Sequence, residues 1–224
     1  MVEGKIKKPA AAPVAARVRR GASTKAGQRA ESMDSLLQAA LRLFVSQGYR
    51  STNLEQISGA AALTKGAVYF YFGSKEAVLL ELLRRVQDIV VDRAIAAVEE
   101  AGGSSRDRLV TYIHYQAQLG ISHRDEVLLL ILMSLEFKER EGEVNSFIRT
   151  LYGRQRSYIN DLIRRGQRAG DFRRNVPVKE MAALVLAIND GTFLEWFRQS
   201  DNLSGTHLTR ALRTMVLNGI LTAD

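Results

Sequence analysis

Hydroxyl, ammonium and phenol groups are concentrated between Thr64 and Lys75, where they could form hydrogen bonds to a polar or anionic partner. The segment begins with small side chains apart from Lys65, so its backbone could come close to the edge of a base pair. Tyr69 and Tyr71 could donate their hydroxyls to phosphates, and Lys75 adds a cation near helix-terminal N–H groups that also favour phosphate. These residue types in this order indicate recognition of nucleic acid.

The competing interpretation of this segment is a buried aromatic cluster. Residues 69–72 read Tyr-Phe-Tyr-Phe, and consecutive side chains on a helix point about 100° apart. The four rings therefore cannot all face one core, although Val68 and Phe72, four residues apart, are expected to point inward. On spacing alone, both interpretations stay open.

Three short helices are predicted to position this segment. Apolar residues at helical spacing predict a first helix over roughly residues 32–47, which Gly48 would terminate. The sequence Thr52-Asn53-Leu54-Glu55 has the form of a capping box and predicts the start of a short second helix. The third helix covers about residues 65–72, and Ser74 would cap a long fourth helix. Three such helices have the size of a helix-turn-helix unit.

The remainder of the chain also has helical periodicity, without the period-two alternation of strands. Further helices are predicted over roughly residues 104–120, 122–140, 143–168, 178–199 and 204–221. The predicted fold class is therefore all-α: an N-terminal three-helix helix-turn-helix domain, then a larger helical domain, with about nine helices in total.

The positive charge is concentrated at the N-terminus. Residues 1–30 contain eight Lys or Arg and one Glu, which leaves the rest of the chain nearly neutral although its formal net charge is +8. Without an apolar period, this stretch is predicted to be a disordered basic arm. Such an arm could follow DNA phosphates or could simply keep the protein in solution. An organelle transit peptide fits less well, because no amphipathic helix is visible.

The composition argues against several classes of protein. There are no cysteines, and the histidines (His114, His123 and His207) lack acidic partners at ligand spacing, so no metal site is expected. No apolar run reaches the length of a membrane span, and no secretion signal is apparent. No phosphate loop, nucleophile elbow or His-Glu metal motif indicates an enzyme. We expect a cytoplasmic binding protein that needs no cofactor and does not act at a membrane.

One family accounts for the N-terminal motifs together. The chain has Ala39-Ala40-Leu41-Arg42-Leu43-Phe44, then Gly48-Tyr49, Thr52, Ile57 and the run Thr64-Lys65-Gly66-Ala67-Val68-Tyr69-Phe70-Tyr71-Phe72-Gly73-Ser74-Lys75-Glu76. Over about 50 residues without a gap, these closely resemble the DNA-binding domain of the tetracycline-repressor (TetR) family. The resemblance implies a helix-turn-helix DNA-binding domain over residues 31–77 and a helical regulatory domain, for ligand binding and dimerisation, over residues 78–224.

The resemblance also implies a function: a homodimeric transcriptional repressor of nine helices that binds a double-stranded operator and is released by a small organic ligand. A ligand-dependent activator, a co-repressor response and a helical interaction module without DNA function are the alternatives. The positions that match DNA-contacting positions of the family are Thr52, Thr64, Lys65, Gly66, Ala67, Tyr69, Tyr71 and Lys75.

Two residues depart from the family pattern. Ala62 stands in the turn where the family usually has glycine, and a positive φ there would cost Ala on the order of 1 kcal/mol. Phe70 stands where a polar ring is more common. We expect Phe70 to pack on the fourth helix, with contact to a thymine methyl as the alternative.

The regulatory half gives weaker signals. In the family, helices four to seven enclose a ligand, and the candidate lining residues here are Tyr112, Tyr115, Met133, Phe137, Phe147, Tyr152 and Trp196. The arginines between Arg154 and Arg168 are either a solvated face or an anchor for an acidic ligand such as an acyl-thioester. Apolar stripes on the last two predicted helices fit a dimer interface or an internal core equally well, so the predicted dimer rests on the resemblance.

Overall fold

The computed structural model of the protein describes residues 25–175 and 177–221. Within these residues the chain forms nine helices and no strand, apart from one isolated bridge between Phe172 and Leu221. The helices are α1 (Lys25–Gln47), α2 (Leu54–Ala60), α3 (Lys65–Phe72), α4 (Lys75–Val86, a π-helical stretch Gln87–Asp92, then Arg93–Ala101), α5 (Ser105–Ser122), α6 (Arg124–Glu136), α7 (Glu143–Ala169), α8 (Val178–Arg198) and α9 (Gly205–Ile220). The all-α class is confirmed. None of the helices in these two ranges is both long and apolar enough to cross a bilayer.

Helix α1 begins earlier than the sequence pattern predicts. It starts at Lys25 instead of about residue 32, so the last six residues of the predicted disordered arm are helical. Most of these residues favour helix, and the Ser32 hydroxyl donates back to the carbonyl of Gln28 at 2.9 Å. Residues 1–24, which hold the rest of the predicted arm, lie outside the described residues.

The turn before α2 corrects the predicted capping box. The N-cap is Asn53, whose side chain accepts from the backbone N–H of Gln56, while the Gln56 side chain accepts from the Asn53 N–H. Thr52 cannot take this role because its hydroxyl donates to the Gly48 carbonyl at 2.9 Å and accepts from Gln47 at 3.1 Å. The capping box is thus displaced by one residue, which buries Thr52.

The turn between α2 and α3 contains strain that the sequence pattern anticipates. Ala62 has φ of 54°, the one positive φ at a non-glycine residue in the described chain. A Cβ in this left-handed region costs on the order of 1 kcal/mol. The tight turn nevertheless forms, because the Leu63 N–H donates to the Ser58 carbonyl at 2.9 Å and Thr64 caps the next helix.

One apolar core joins the first three helices to the regulatory half. Phe44, Ile57 and Val68 are fully buried in the cluster that also holds Val86 of α4 and Met133 of α6. A second cluster fills the far end between α5, α7, α8 and α9. The predicted boundary near residue 77 thus lies within α4, and packing is continuous across it.

Candidate nucleic-acid interface and regulatory cavities

Helix α3 presents its first turn to solvent. Thr64 is the N-cap, and its hydroxyl accepts from the Ala67 N–H at 3.3 Å. Lys65 and Gly66 are exposed, whereas Val68 one turn further on is completely buried. The helix is held by one buried face, which leaves the small-residue end free to approach another molecule.

The aromatic run Tyr69–Phe72 is divided between core and surface. It is therefore neither a fully buried cluster nor a fully exposed binding surface. Tyr69 is 48% and Phe70 75% exposed, while Tyr71 and Phe72 are half-buried against the core. The expectation that Phe70 packs on α4 is wrong. Its ring packs against Tyr71 in an edge-to-face arrangement, with 5.2 Å between centroids, and lies 5.9 Å from the Arg29 guanidinium.

Arg29 is a candidate interface residue, although the sequence pattern predicts that it belongs to the disordered arm. Its guanidinium lies 5.9 Å from the ring centroids of both Phe70 and Tyr71, which are cation–π contacts. The early start of α1 fixes Arg29 beside α3. The run of helix-favouring residues before Ser32 was the available signal, but it contains no apolar period.

Lys65 is already paired in the free protein. Its ammonium contacts the Glu55 carboxylate of α2, and both side chains are largely exposed. The hydrogen bond and the charge of each partner raise the pKa of Lys65 and lower the pKa of Glu55. A ligand for the Lys65 ammonium must therefore compete with a carboxylate.

Lys75 lies underneath the candidate interface. Its Nζ donates to the carbonyls of Tyr49 at 2.8 Å and Thr52 at 2.7 Å, and sits 4.3 Å from the centroid of the Tyr49 ring. Burial lowers the pKa of this ammonium. Lys75 thus braces the α1–α2 turn. Beside it, a recess of about 360 Å³ opens next to Tyr69, with Thr52 and Glu55 also in its wall.

The structure does not bring the seven candidate ligand residues into one cavity. Tyr112 and Met133 are buried, and Phe137 packs edge-on against Tyr49 at 5.2 Å between centroids. Tyr152 lines a separate cavity of about 530 Å³ between α6 and α7, while Trp196 lines another on the far side. The remaining two, Tyr115 and Phe147, are partly buried against the main core. The order of aromatic residues along the chain could not reveal these separate environments.

The Trp196 cavity is a groove of about 420 Å³ between α5, α8 and α9. Phe193 and Trp196 form an aromatic wall, with ring centroids 6.4 Å apart. Arg210 and Arg213 of α9 line the groove as well, together with Gln116 of α5. These residues were not among the candidates, apart from Trp196, because three distant segments must pack before the groove exists.

Polar groups are buried next to this groove. Gln116 donates to the Val90 carbonyl in the π-helical stretch of α4 at 3.0 Å, and Gln155 donates to the Tyr112 hydroxyl at 3.4 Å. Asp190 of α8 interacts electrostatically with Tyr112, and burial raises the pKa of Asp190 to about 6. The regulatory half thus has hydrogen-bonded polar side chains in its interior.

An exposed second helix of a helix-turn-helix pair, carried on a larger helical domain, defines a DNA-binding transcriptional regulator. The family model described as bacterial regulatory proteins, tetR family, matches residues 36–82. The model described as tetracyclin repressor-like, C-terminal domain, matches residues 102–220. The chain belongs to the TetR family of bacterial regulators, which confirms the resemblance seen in the sequence.

Individual relatives match both halves of the chain. The repressor KstR2 of Mycolicibacterium smegmatis is 26% identical over 202 residues, which cover 86% of this chain and 92% of the relative. The MbdR regulator of Azoarcus sp. CIB has a crystal structure with 38% identity and a TM-score of 0.77, over 85% of this chain and 100% of its own. A transcriptional regulator from Saccharomonospora viridis, crystallised with choline, has 25% identity and a TM-score of 0.75, and the match covers 87% of this chain and 100% of the regulator.

These relationships confirm the predicted class. The protein is a ligand-responsive DNA-binding repressor of the TetR type and not an enzyme. The alternative of a helical interaction module without DNA function is not supported.

Proposed function

We propose that the protein binds a pseudo-palindromic operator as a homodimer and that a small organic effector releases it. The observation that carries this proposal is the exposed first turn of α3, fixed by Val68 to a core that continues into the regulatory half. A change of packing in that half reaches the DNA-facing helix through α4, which enters the core directly after α3.

Each candidate residue has a proposed role at the major groove. Lys65 donates to a base edge, and Gly66 and Ala67 let the backbone come close to the DNA. Tyr69 and Tyr71 donate to phosphates. The remaining three, Thr52, Thr64 and Lys75, hold the surface in shape: Thr64 caps α3, while Thr52 and Lys75 fix the turn before α2.

The dimer is supported by an uncovered apolar face on α8 and α9. Leu184 is 52% and Met215 70% exposed, although neither lies in a loop. Ala187 and Gly191 follow Leu184 at helical spacing and are exposed too, so that a second helix could approach closely. Two copies packed through these helices would form a four-helix bundle and would carry two α3 helices.

An effector is supported by the polar interior of the regulatory half and by the relative from Saccharomonospora viridis that was crystallised with choline. The direction of the response stays a proposal: release of DNA makes the effector an inducer, whereas tighter binding makes it a co-repressor or co-activator. We propose that the protein acts in the cytoplasm, on chromosomal DNA.

Selection of bound sequences from random DNA tests the dimer and the operator together. The expected product is a pair of inverted half-sites whose centres lie about one helical turn apart or somewhat more. An asymmetric single half-site with full affinity would contradict the proposal.

The variant Lys65→Ala tests the assignment of α3. It should weaken operator binding by roughly tenfold to a hundredfold and relax the preference at one base pair. Tyr69→Phe is the matched comparison, because it removes one hydroxyl and should weaken all sequences alike by about fivefold. If Lys65→Ala weakens every sequence equally, Lys65 contacts phosphate and its assigned role is wrong.

A further inference from the structure

The DNA-facing end of α4 is connected to the regulatory half through a π-helical stretch, Gln87–Asp92. A π-helical turn interrupts the i→i−4 pattern of hydrogen bonds and is often found at functional sites. If this stretch changed its winding, Lys75–Val86 would rotate and shift relative to Arg93–Ala101, since each residue of a helix contributes about 100° and 1.5 Å. A change in the winding of this stretch would therefore change the direction of the helix-turn-helix unit.

A side chain from another helix holds this stretch. The amide Nε2 of Gln116 on α5 donates to the Val90 carbonyl at 3.0 Å, and Gln116 is only 6% exposed. Hydrogen bonds in such a buried place are costly to lose without replacement. Whatever engages the Gln116 amide instead would thus alter the support of the π-helical stretch.

Gln116 also lines the groove between α5, α8 and α9, so it connects the groove directly to α4. The groove is partly enclosed by Phe193 and Trp196, and its volume of about 420 Å³ is in the range of small-molecule sites. A molecule in this groove could reach the Gln116 amide without unfolding any helix.

The charges of the groove select the chemistry of its occupant. Arg210 and Arg213 line it, and neither forms an ion pair with any described residue. No Asp or Glu is among the described lining residues. Unpaired guanidinium groups beside aromatic rings suit an organic anion with an apolar body, since the guanidinium binds carboxylate and the rings bury the body.

The groove stays accessible in the proposed dimer. Arg213 lies on the opposite face of α9 from Met215, whereas Arg210 lies between the two faces and lines both the groove and a recess beside Met215. Packing of a second copy on Met215 therefore leaves Arg213 free, with Arg210 at the edge of that contact.

We propose that the groove between α5, α8 and α9 binds an apolar organic anion, and that the anion acts on DNA binding by drawing the Gln116 amide away from Val90. The anion accepts hydrogen bonds from Arg210, Arg213 and the Gln116 amide, and its apolar body packs on Phe193 and Trp196. The regulatory part of this inference rests on the proposed function, while the binding part does not.

The single tryptophan of the chain makes binding directly measurable, because Trp196 lies in the groove wall. Octanoate and 2-naphthoate serve as probes, each compared with its neutral amide in the full-length protein. Saturable changes in Trp196 fluorescence are expected with the carboxylates, and at least tenfold weaker binding with the amides. Equal binding of acid and amide, or no saturable change with either acid, would overturn the site.

Two arginine variants and one control locate the anion. Arg210→Gln and Arg213→Gln should each weaken carboxylate binding by about fivefold or more and leave amide binding unchanged. Arg106→Gln removes the same charge from α5 outside the groove and should have no effect on either. If all three variants behave alike, the carboxylate responds to net charge only and the site is wrong.

The variant Gln116→Met separates binding from transmission. It should weaken carboxylate binding by about fivefold, because one proposed donor is lost, and the change in operator affinity at saturating carboxylate should fall by at least threefold. Gln116→Asn, which keeps the amide on a shorter chain, gives the same test if Gln116→Met unfolds. An unaltered response of operator affinity would overturn the role of Gln116. Operator binding without any probe tests the proposed function separately.

Discussion

The DNA-facing region and the regulatory region of this protein differ in how their working parts are built. The first uses residues close together in sequence: Thr64 caps α3 three residues before Ala67, and Lys65 meets Glu55 ten residues away. The second uses residues from distant segments, such as Gln116, Trp196 and Arg213 around one groove. A short contiguous motif can therefore specify the first region, whereas the second exists only after the helices have packed.

The largest effect is expected where the two regions share their core. Phe44 is fully buried and lies 5.2 Å from the ring of Tyr49, so Phe44→Ala should lower the free energy of unfolding by about 3–5 kcal/mol. Phe70→Ala is the matched control: Phe70 is 75% exposed, and its loss should cost less than about 0.5 kcal/mol. Urea unfolding followed by circular dichroism measures both.

This pair of variants also tests whether the two regions are energetically separate. Since one cluster of buried residues runs from α1 to α7, Phe44→Ala should keep a single transition and lower its midpoint. A second transition in which only the regulatory half stays folded would contradict the shared core.

The same difference explains what the sequence could predict. The helix order and the cap at Ser74 follow from local patterns and are confirmed. The positive φ of Ala62 agrees with the glycine that the family usually has there. The capping box was misplaced by one residue because Thr52 and Asn53 are both good N-caps, and only the buried Gly48 contact of Thr52 decides between them. The groove, the π-helical stretch and the pairing of Gln116 with Val90 depend on long-range packing that no local pattern encodes.

The next largest effect on the free energy of unfolding is expected in the regulatory region, at Asp190. Its pKa is raised to about 6 by burial, so the native state holds this proton more tightly than the unfolded chain does. The stability that depends on this proton is fully present below about pH 4, the pKa of an unfolded Asp, and is lost as the pH rises through about 6. Its size is roughly 2–3 kcal/mol.

The variant Asp190→Asn isolates this contribution. The free energy of unfolding of the wild-type protein should fall between about pH 4 and 7 relative to that of Asp190→Asn, which has no carboxyl to titrate. Glu139→Gln, an exposed surface change, is the control and should run parallel to the wild type. If the free energy of unfolding of Asp190→Asn instead ran parallel to that of the wild type over this pH range, the Asp190 carboxyl would be solvated.

A smaller effect is expected at Lys75, where two roles can be separated. As a brace, its ammonium holds the carbonyls of Tyr49 and Thr52, so Lys75→Met should lower the free energy of unfolding by about 2 kcal/mol. The slope of log operator affinity against log salt should stay unchanged. A phosphate contact would instead reduce that slope by about 0.9 with little loss of stability, and this outcome would reject the brace.

The smallest effect is expected at the ion pair between Glu55 of α2 and Lys65 of α3. Because of this pair, the DNA-facing surface depends on two helices and not on α3 alone. Glu55 raises the pKa of Lys65 and occupies its ammonium in the free protein, so DNA must displace the carboxylate or share the ammonium with it. Glu55→Gln should therefore raise affinity for random DNA by a few-fold, because an exposed ion pair is weak. Affinity for the operator should rise less, since the correctly placed base already competes well, and the ratio of specific to non-specific affinity should fall. Glu81→Gln, which removes a carboxylate paired with Arg84 on α4, is the matched control and should leave that ratio unchanged. A ratio that stays constant in Glu55→Gln would mean that Glu55 serves only to keep α2 and α3 together, and that selectivity resides in the sequence-local part of α3 alone.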